Sequence, residues 1–322
     1  MKVVISIPVH EKPEVILNQI KNIKRFNEEA EIVIHISAAF YEKYSDEKLI
    51  NNKKIHINPK HLETSWGNII FAHLSNFEYM KSMGKFDYFV MHSSNDMYIK
   101  SGFLDYIYKF DCGFYVHPLV SDKSFWWPTE YALKDKQLKS ILKELNADMA
   151  ISSQVEGSFY RCELMDEIDT LIKKTMEQYN DRLNYPREEV YFPTIAYYKM
   201  NLKLKGNITT FSEVHVYDSM LWMPWMLKKK IKLKNTFSKK VVNFILEKLY
   251  EINYKILKKT LIYRLSVHQI NMILKKENKF INKYKYLCDG VSKYPLYGGK
   301  IFSVKRVNRD IDDKIRKYIS KL

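Results

Sequence analysis

The chain has 322 residues, 46% of them apolar and 14% aromatic, which suffices for a sizeable core and excludes a disordered or fibrous polypeptide. Its net charge of +16 is concentrated: residues 228–285 hold 17 Lys and Arg against Glu247, Glu251 and Glu277, a net +14. The rest of the chain is nearly neutral, which excludes a fold that grips nucleic acid over its whole surface.

Residues 2–8 (KVVISIP) predict a buried strand, a β-branched run stopped by proline. Val15, Ile16, Ile20 and Ile23 recur at helical spacing and predict a helix over 13–26. Residues 31–36 (EIVIHI) predict a second buried strand, and 54–57 a short third. A long helix is expected over 66–83, with Ile69, Ile70, Ala72, His73, Leu74, Phe77 and Met80 near one face and Gly84 as its stop. Residues 86–92 predict a fourth strand, running into Ser93-Ser94-Asn95-Asp96. This alternation is α/β with a mainly parallel sheet. Ligands of such sheets bind beyond the carboxyl ends of the strands, here at His10, Ser37 and Asp96.

Farther along, residues 110–118 predict a strand, Trp126 and Trp127 a loop, and 138–145 a helix. Gly157-Ser158-Phe159-Tyr160 leads into a helix reaching Tyr179. Residues 190–200 continue helically from a carboxylate pair, with Pro193 expected in the first turn. From Met220 the pattern changes to Trp222, Pro224 and Trp225, then lysines. An amphipathic run follows, with Val242, Ile245, Leu246, Leu249, Ile252 and Ile256. Residues 310–319 close as a charged helix. Three parts result: a core over 1–225, a basic amphipathic segment over 226–289, and a C-terminal element over 290–322.

Two short patches carry the chemistry. Glu188 and Glu189 sit among aromatics in PREEVYFPT. They are either acids that favour a helix N-terminus or a general base with its neighbour. Lys305 and Arg306 end an apolar stub and are either a solvated basic pair or the cations that stabilise a leaving diphosphate. Asp96 ends a strand, where it either closes an Asx turn or holds a donor. The Asp-x-Asp pattern of a metal site is broken, because Ser94 stands at its first position. His10 either contacts a nucleotide or caps a turn, and Trp126 and Trp127 either stack on sugar rings or pack under a loop. No P-loop, GxGxxG, GxSxG or Ser-His-Asp order is present. Cys112, Cys162 and Cys288 form no CxxC or zinc pattern and read as free thiols of a reducing compartment. No run has the roughly 18–20 apolar residues of a membrane span, so a cytoplasmic location is expected.

Together these patches resemble the core-2/I-branching β-1,6-N-acetylglucosaminyltransferase family, which includes peptide O-xylosyltransferases. The resemblance rests on residues 3–13, on Trp66-Gly67 with residues 86–96, and on Gly157-Ser158-Phe159-Tyr160. Pro186-Arg187-Glu188-Glu189 with Thr194, and the tail over 297–310, complete it. It implies a GT-A fold and an inverting, metal-independent transfer of GlcNAc or a similar sugar from a UDP-sugar. It implies Glu189 as base and Lys305 against the diphosphate. From the residues themselves, His10, Asp96 and Arg306 are expected about the donor, and Glu188, Trp126 and Trp127 about the substrate. No cofactor is expected. The expected partners are a nucleotide sugar, a glycan or lipid-linked acceptor, and an anionic membrane touched peripherally on its inner face; nucleic acid is not among them. A metal-dependent GT-A transferase of another family and a non-catalytic carbohydrate- or nucleic-acid-binding protein remain the alternatives.

Overall fold

A computed structural model describes residues 1–44, 54–120, 128–176, 185–200, 204–211, 236–259, 265–275 and 300–322. The N-terminal β-branched run forms strand β1 (Val3–Val9), buried along its whole length, as a strand covered on both faces must be. Its alternation divides the core. Val3, Ile5, Ile7 and Val9 pack against helix α1 (Pro13–Phe26) on one face. Val4 packs on the other with Phe89, Met91 and helix α2 (Ile69–Met83). A period of two thus places helices on both sides of one sheet.

Strand β1 pairs in parallel with β2 (Glu31–Ile36) and β4 (Tyr88–Met91), and β2 pairs in parallel with β3 (Ile55–Ile57). Beyond β4, strand β9 (Phe159–Arg161) runs antiparallel to both β4 and β6 (Cys112–Gly113). Strand β10 (Lys205–Gly206) closes the edge, parallel to β6. The order is β10-β6-β9-β4-β1-β2-β3. The fold is mixed α/β with a central, mainly parallel sheet, as the alternation predicts. Because β1 lies between β2 and β4, the chain winds outward from it in both directions. That topological switch point opens a crevice at the carboxyl ends of β1 and β4.

A smaller sheet joins distant parts of the chain. Strand β12 (Ser303–Val304) pairs antiparallel with β5 (Met97–Tyr98) and parallel with β11 (Thr210–Phe211). Met97, Ile99, Phe211, Ile301, Val304 and Val307 form their own apolar cluster there with Ile270, Ile273 and Ile319. The C-terminal helix Lys314–Lys321 is pinned by buried Arg316, which donates to Asn18 Oδ1 at 2.7 Å and to the Asn308 carbonyl at 2.6 Å. The C-terminal element therefore folds back onto the end of β4 and onto α1.

Three local expectations differ from the structure. Residues 110–118 do not make one strand: β6 lies in the main sheet, while β7 (His117–Pro118) pairs antiparallel with β8 (Ile151–Ser152). The segment 157–160 is not merely a lead-in, since it contains most of β9, which inserts centrally against the parallel grain. Pro193 is not in the first turn. Helix α7 (Glu188–Lys199) begins at the carboxylate pair and carries Pro193 in its interior. A proline there cannot donate to the carbonyl four residues earlier. That carbonyl, of Glu189, instead accepts from the Ser153 N–H at 2.8 Å.

The described part of the basic segment contains helices Thr236–Lys259 and Val267–Leu274. Trp126, Trp127, Trp222, Trp225, Cys288 and the tail before residue 300 lie outside the described residues. No described helix is long and apolar enough to cross a membrane.

Candidate active site

A cavity of about 470 Å³ occupies the crevice at the switch point. The end of β1 contributes Pro8 and His10, and the turn after β4 contributes His92, Ser93 and Asn95. Val155 and Glu156 line it ahead of β9, Glu188 and Glu189 from the start of α7, and residues 305–309 from the tail. Both chemistry-bearing patches, more than a hundred residues apart in sequence, therefore face one space.

The tail residues are held by backbone. The Lys305 N–H donates to the Phe211 carbonyl at 2.8 Å, and the Val307 N–H to the Asn95 carbonyl at 3.1 Å. In an extended chain, adjacent side chains point to opposite sides. Arg306 breaks that alternation with a left-handed φ of 59°, and Lys305 and Arg306 both line the cavity. Lys305 is buried, with Nζ 2.7 Å from Glu156 Oε2. Ser93 Oγ donates to the other oxygen of Glu156, also at 2.7 Å. Arg306 and Arg309 are exposed at the rim, and Arg309 pairs with buried Glu11.

Glu156 is aimed by the glycine after it. Gly157 has φ +79°, and a Cβ there would stand 2.2 Å from Thr210 Oγ1 and 2.6 Å from Thr210 N. Only glycine fits, because both the backbone angle and the close approach exclude a side chain. The Gly157 N–H donates to the Met91 carbonyl at 2.8 Å, which ties this turn to the end of β4.

The carboxylate pair is fixed from three directions. The Glu189 carbonyl is held by Ser153, as above. Thr194 Oγ1 accepts from the Ile151 N–H at 2.9 Å and donates to the Ile151 carbonyl at 3.0 Å. Tyr185, ahead of α7, and Tyr191, within it, both donate phenolic hydrogens to buried Asp135. The Arg187 guanidinium lies 5.3 Å from the Phe71 ring centroid, against α2. These contacts leave Glu189 half-buried at the cavity wall and Glu188 buried.

The buried charges differ in state. Burial alone would raise the Glu156 carboxyl, but the Lys305 ammonium and the Ser93 hydroxyl outweigh it and hold the group well below the usual carboxylate range. Glu188 goes the other way. Burial, with the negative charge of Glu156 adding to it, pushes its carboxyl up to about 7, against the opposing pull of its own backbone, Arg187 and Lys305. Among the described residues, its buried Oε2 has no hydrogen-bond partner. Glu188 therefore exchanges a proton near neutrality, while Glu156 and Lys305 stay paired.

This has a consequence for stability. Native Glu188 keeps its proton up to about pH 7, whereas the unfolded chain releases it near 4.5. Stability from this group is thus complete below pH 4.5 and falls as pH rises to 7. The gap corresponds to about 3 kcal/mol. Glu188→Gln removes it, so the variant gains on the wild type between about pH 5 and about pH 8. Denaturant unfolding of both proteins at those two values checks this, and an unchanged difference between them contradicts it.

The remaining sequence-predicted residues fall as follows. His10 is at the mouth, with Nε2 3.7 Å from Glu11 Oε1. Burial lowers its pKa and Glu11 opposes that shift. Asp96 is buried and is not among the lining residues. It accepts from the Ser93 N–H at 2.8 Å and meets His92 Nδ1 at 3.2 Å, while His92 Nε2 reaches the Tyr98 hydroxyl at 2.9 Å. In this structure it shapes the turn beneath the cavity, as the Asx-turn reading allows. Glu156, His92 and Arg309 were not picked out from sequence. Glu156 had a signal nearby, since it directly precedes Gly157-Ser158. Among the described residues, no three His, Cys, Asp or Glu side chains converge as a metal-binding set.

No protein-family model and no curated protein matches the sequence. Solved structures do. The chain is similar to the galactosyltransferase LgtC, in complex with donor and acceptor sugar analogues, at 7% identity and a TM-score of 0.37 over 69% of this chain and 78% of that one. It is similar to S. aureus TarS at 12% identity and a TM-score of 0.36, over 92% of this chain and 50% of TarS. These are distant likenesses of backbone shape.

Proposed function

We propose that the protein is a glycosyltransferase of GT-A type that moves a sugar from a UDP-linked donor to a glycan hydroxyl, with inversion and without a metal. The observation that carries this reading is the meeting of a carboxylate pair and a cationic tail on one cavity at the switch point of a parallel sheet. The family resemblance supplies the residue roles. Glu189 takes the proton of the acceptor hydroxyl. That oxygen attacks the anomeric carbon from the face opposite the leaving group. The bond from the anomeric carbon to the diphosphate oxygen breaks, and its electron pair leaves with the diphosphate. Lys305 and Arg306 stabilise the charge that develops there, with Arg309 beside them. Glu188 and, at the mouth, His10 complete the binding surface. GlcNAc or a similar sugar is the expected donor group, and a surface polysaccharide or glycolipid precursor the expected acceptor.

The test is donor turnover across UDP-, GDP- and CMP-sugars, each with and without excess EDTA, with the anomeric configuration of the product read by NMR. One UDP-sugar turned over in EDTA with inverted product is expected. Strict dependence on Mn²⁺ or retained configuration overturns the corresponding part of the reading, and silence across the panel overturns the whole of it in favour of a binding protein.

A further inference from the structure

Helix Thr236–Lys259 presents an apolar face to solvent. Phe237, Val241, Phe244, Ile245, Leu249, Ile252 and Ile256 are each between 42% and 73% exposed. At the α-helical angle per residue these seven fall within an arc of about 140°, along roughly 29 Å of helix. Leu246, on the other side, is buried, so the face turned outward is not the one by which the helix packs. An exposed apolar stripe of this kind, crossed within the same arc by Lys248 and Lys255, marks an interaction surface.

Charge decides between occupants. Lys240, Lys248 and Lys255 are exposed on the same helix. The surrounding residues 228–285 carry a net +14. Two copies joined through this face would bring two such segments together and repel. An anionic bilayer surface meets both requirements: its headgroups neutralise the lysines, and its acyl boundary takes up the aromatic and aliphatic side chains. Lysine stems can lie along the apolar face while their ammonium groups reach the phosphates.

We propose that this helix is an interfacial anchor that lays its Phe237–Ile256 stripe on an anionic lipid surface. The surface stands apart from the sugar-transfer reading, and vesicle binding tests it whether or not any donor is turned over.

The experiment is flotation of the full-length protein with phosphatidylcholine vesicles and with vesicles containing phosphatidylglycerol. Binding to the anionic vesicles at least about tenfold tighter than to the neutral ones is expected, weakening with salt. Phe244→Glu/Ile252→Glu lowers that binding by about tenfold or more while leaving the far-UV circular dichroism and the unfolding midpoint unchanged. Phe244→Ala/Ile252→Ala lowers it less, in the same direction. Equal binding to both vesicle types, no binding, or full binding by the glutamate variant overturns the proposal. So does a concentration-dependent dimer in lipid-free solution that the glutamate variant abolishes, which assigns the face to a second copy.

Discussion

Glu189→Gln is expected to lower kcat by about 10²–10⁴ while leaving donor binding within a few fold, because a general base acts only as the proton leaves. The side chain is well placed to show this cleanly. It lines the cavity, and its backbone is clamped where Pro193 leaves the carbonyl for Ser153. Glutamine keeps that clamp and nearly the same shape, so lost turnover reports on the proton. Steady-state rates with calorimetric donor binding make the comparison. Near wild-type turnover removes Glu189 from its role. The matching Glu188→Gln enzyme then becomes the informative one, since burial pushes the Glu188 carboxyl up to about 7.

Lys305→Met should act on both fold and chemistry. Removing the ammonium leaves Glu156 buried opposite an apolar side chain, a break that costs about 3–5 kcal/mol for a buried pair. The cost diminishes at low pH, where Glu156 takes a proton. Activity should fall by about 10²–10³, as when one electrostatic stabiliser of a developing anion is lost. The double variant Lys305→Met/Glu156→Gln separates the two effects. It removes both charges, so stability returns towards wild type while turnover stays low. A double variant that regains turnover makes Lys305 a structural residue only. Urea unfolding and initial rates on the three proteins decide this.

Much of this arrangement was legible in the sequence, for physical reasons that differ by element. The strands β1, β2 and β4 are buried on both faces, so their apolar runs, β-branched in β1 and β2, stand out without neighbours being known. Helix α1 was legible because Val15, Ile16, Ile20 and Ile23 mark one face and Pro13 opens it. Strand β9 was not legible: it is short, and its burial comes from β4 and β6 on either side. Residues 110–118 misled because one apolar run serves two different sheets. Pro193 misled because its cost in a helix interior is offset by a partner, Ser153, forty residues earlier, which local reading does not see.

The site was legible in its parts and not in its electrostatics. Glu188, Glu189, Lys305, Arg306 and His10 do share a cavity. Nothing in PREEVYFPT indicates that one glutamate is buried, with its carboxyl pushed up to about 7, while its neighbour stays half-exposed at the wall. Nor does the tail announce that Lys305 arrives already paired with Glu156. That pair depends on β12 lying beside β5 and β11, a contact spanning about two-thirds of the chain.

The most direct measurement is calorimetric titration of UDP-N-acetylglucosamine in excess EDTA into the wild type and into Lys305→Met/Glu156→Gln, the charge-balanced variant. Saturable binding to the wild type and binding at least about tenfold weaker to the variant are predicted, because the proposed diphosphate site loses a cation that lines it. Equal binding to both proteins, or binding to the wild type only when Mn²⁺ replaces EDTA, would contradict the assignment of this cavity as a metal-free donor site.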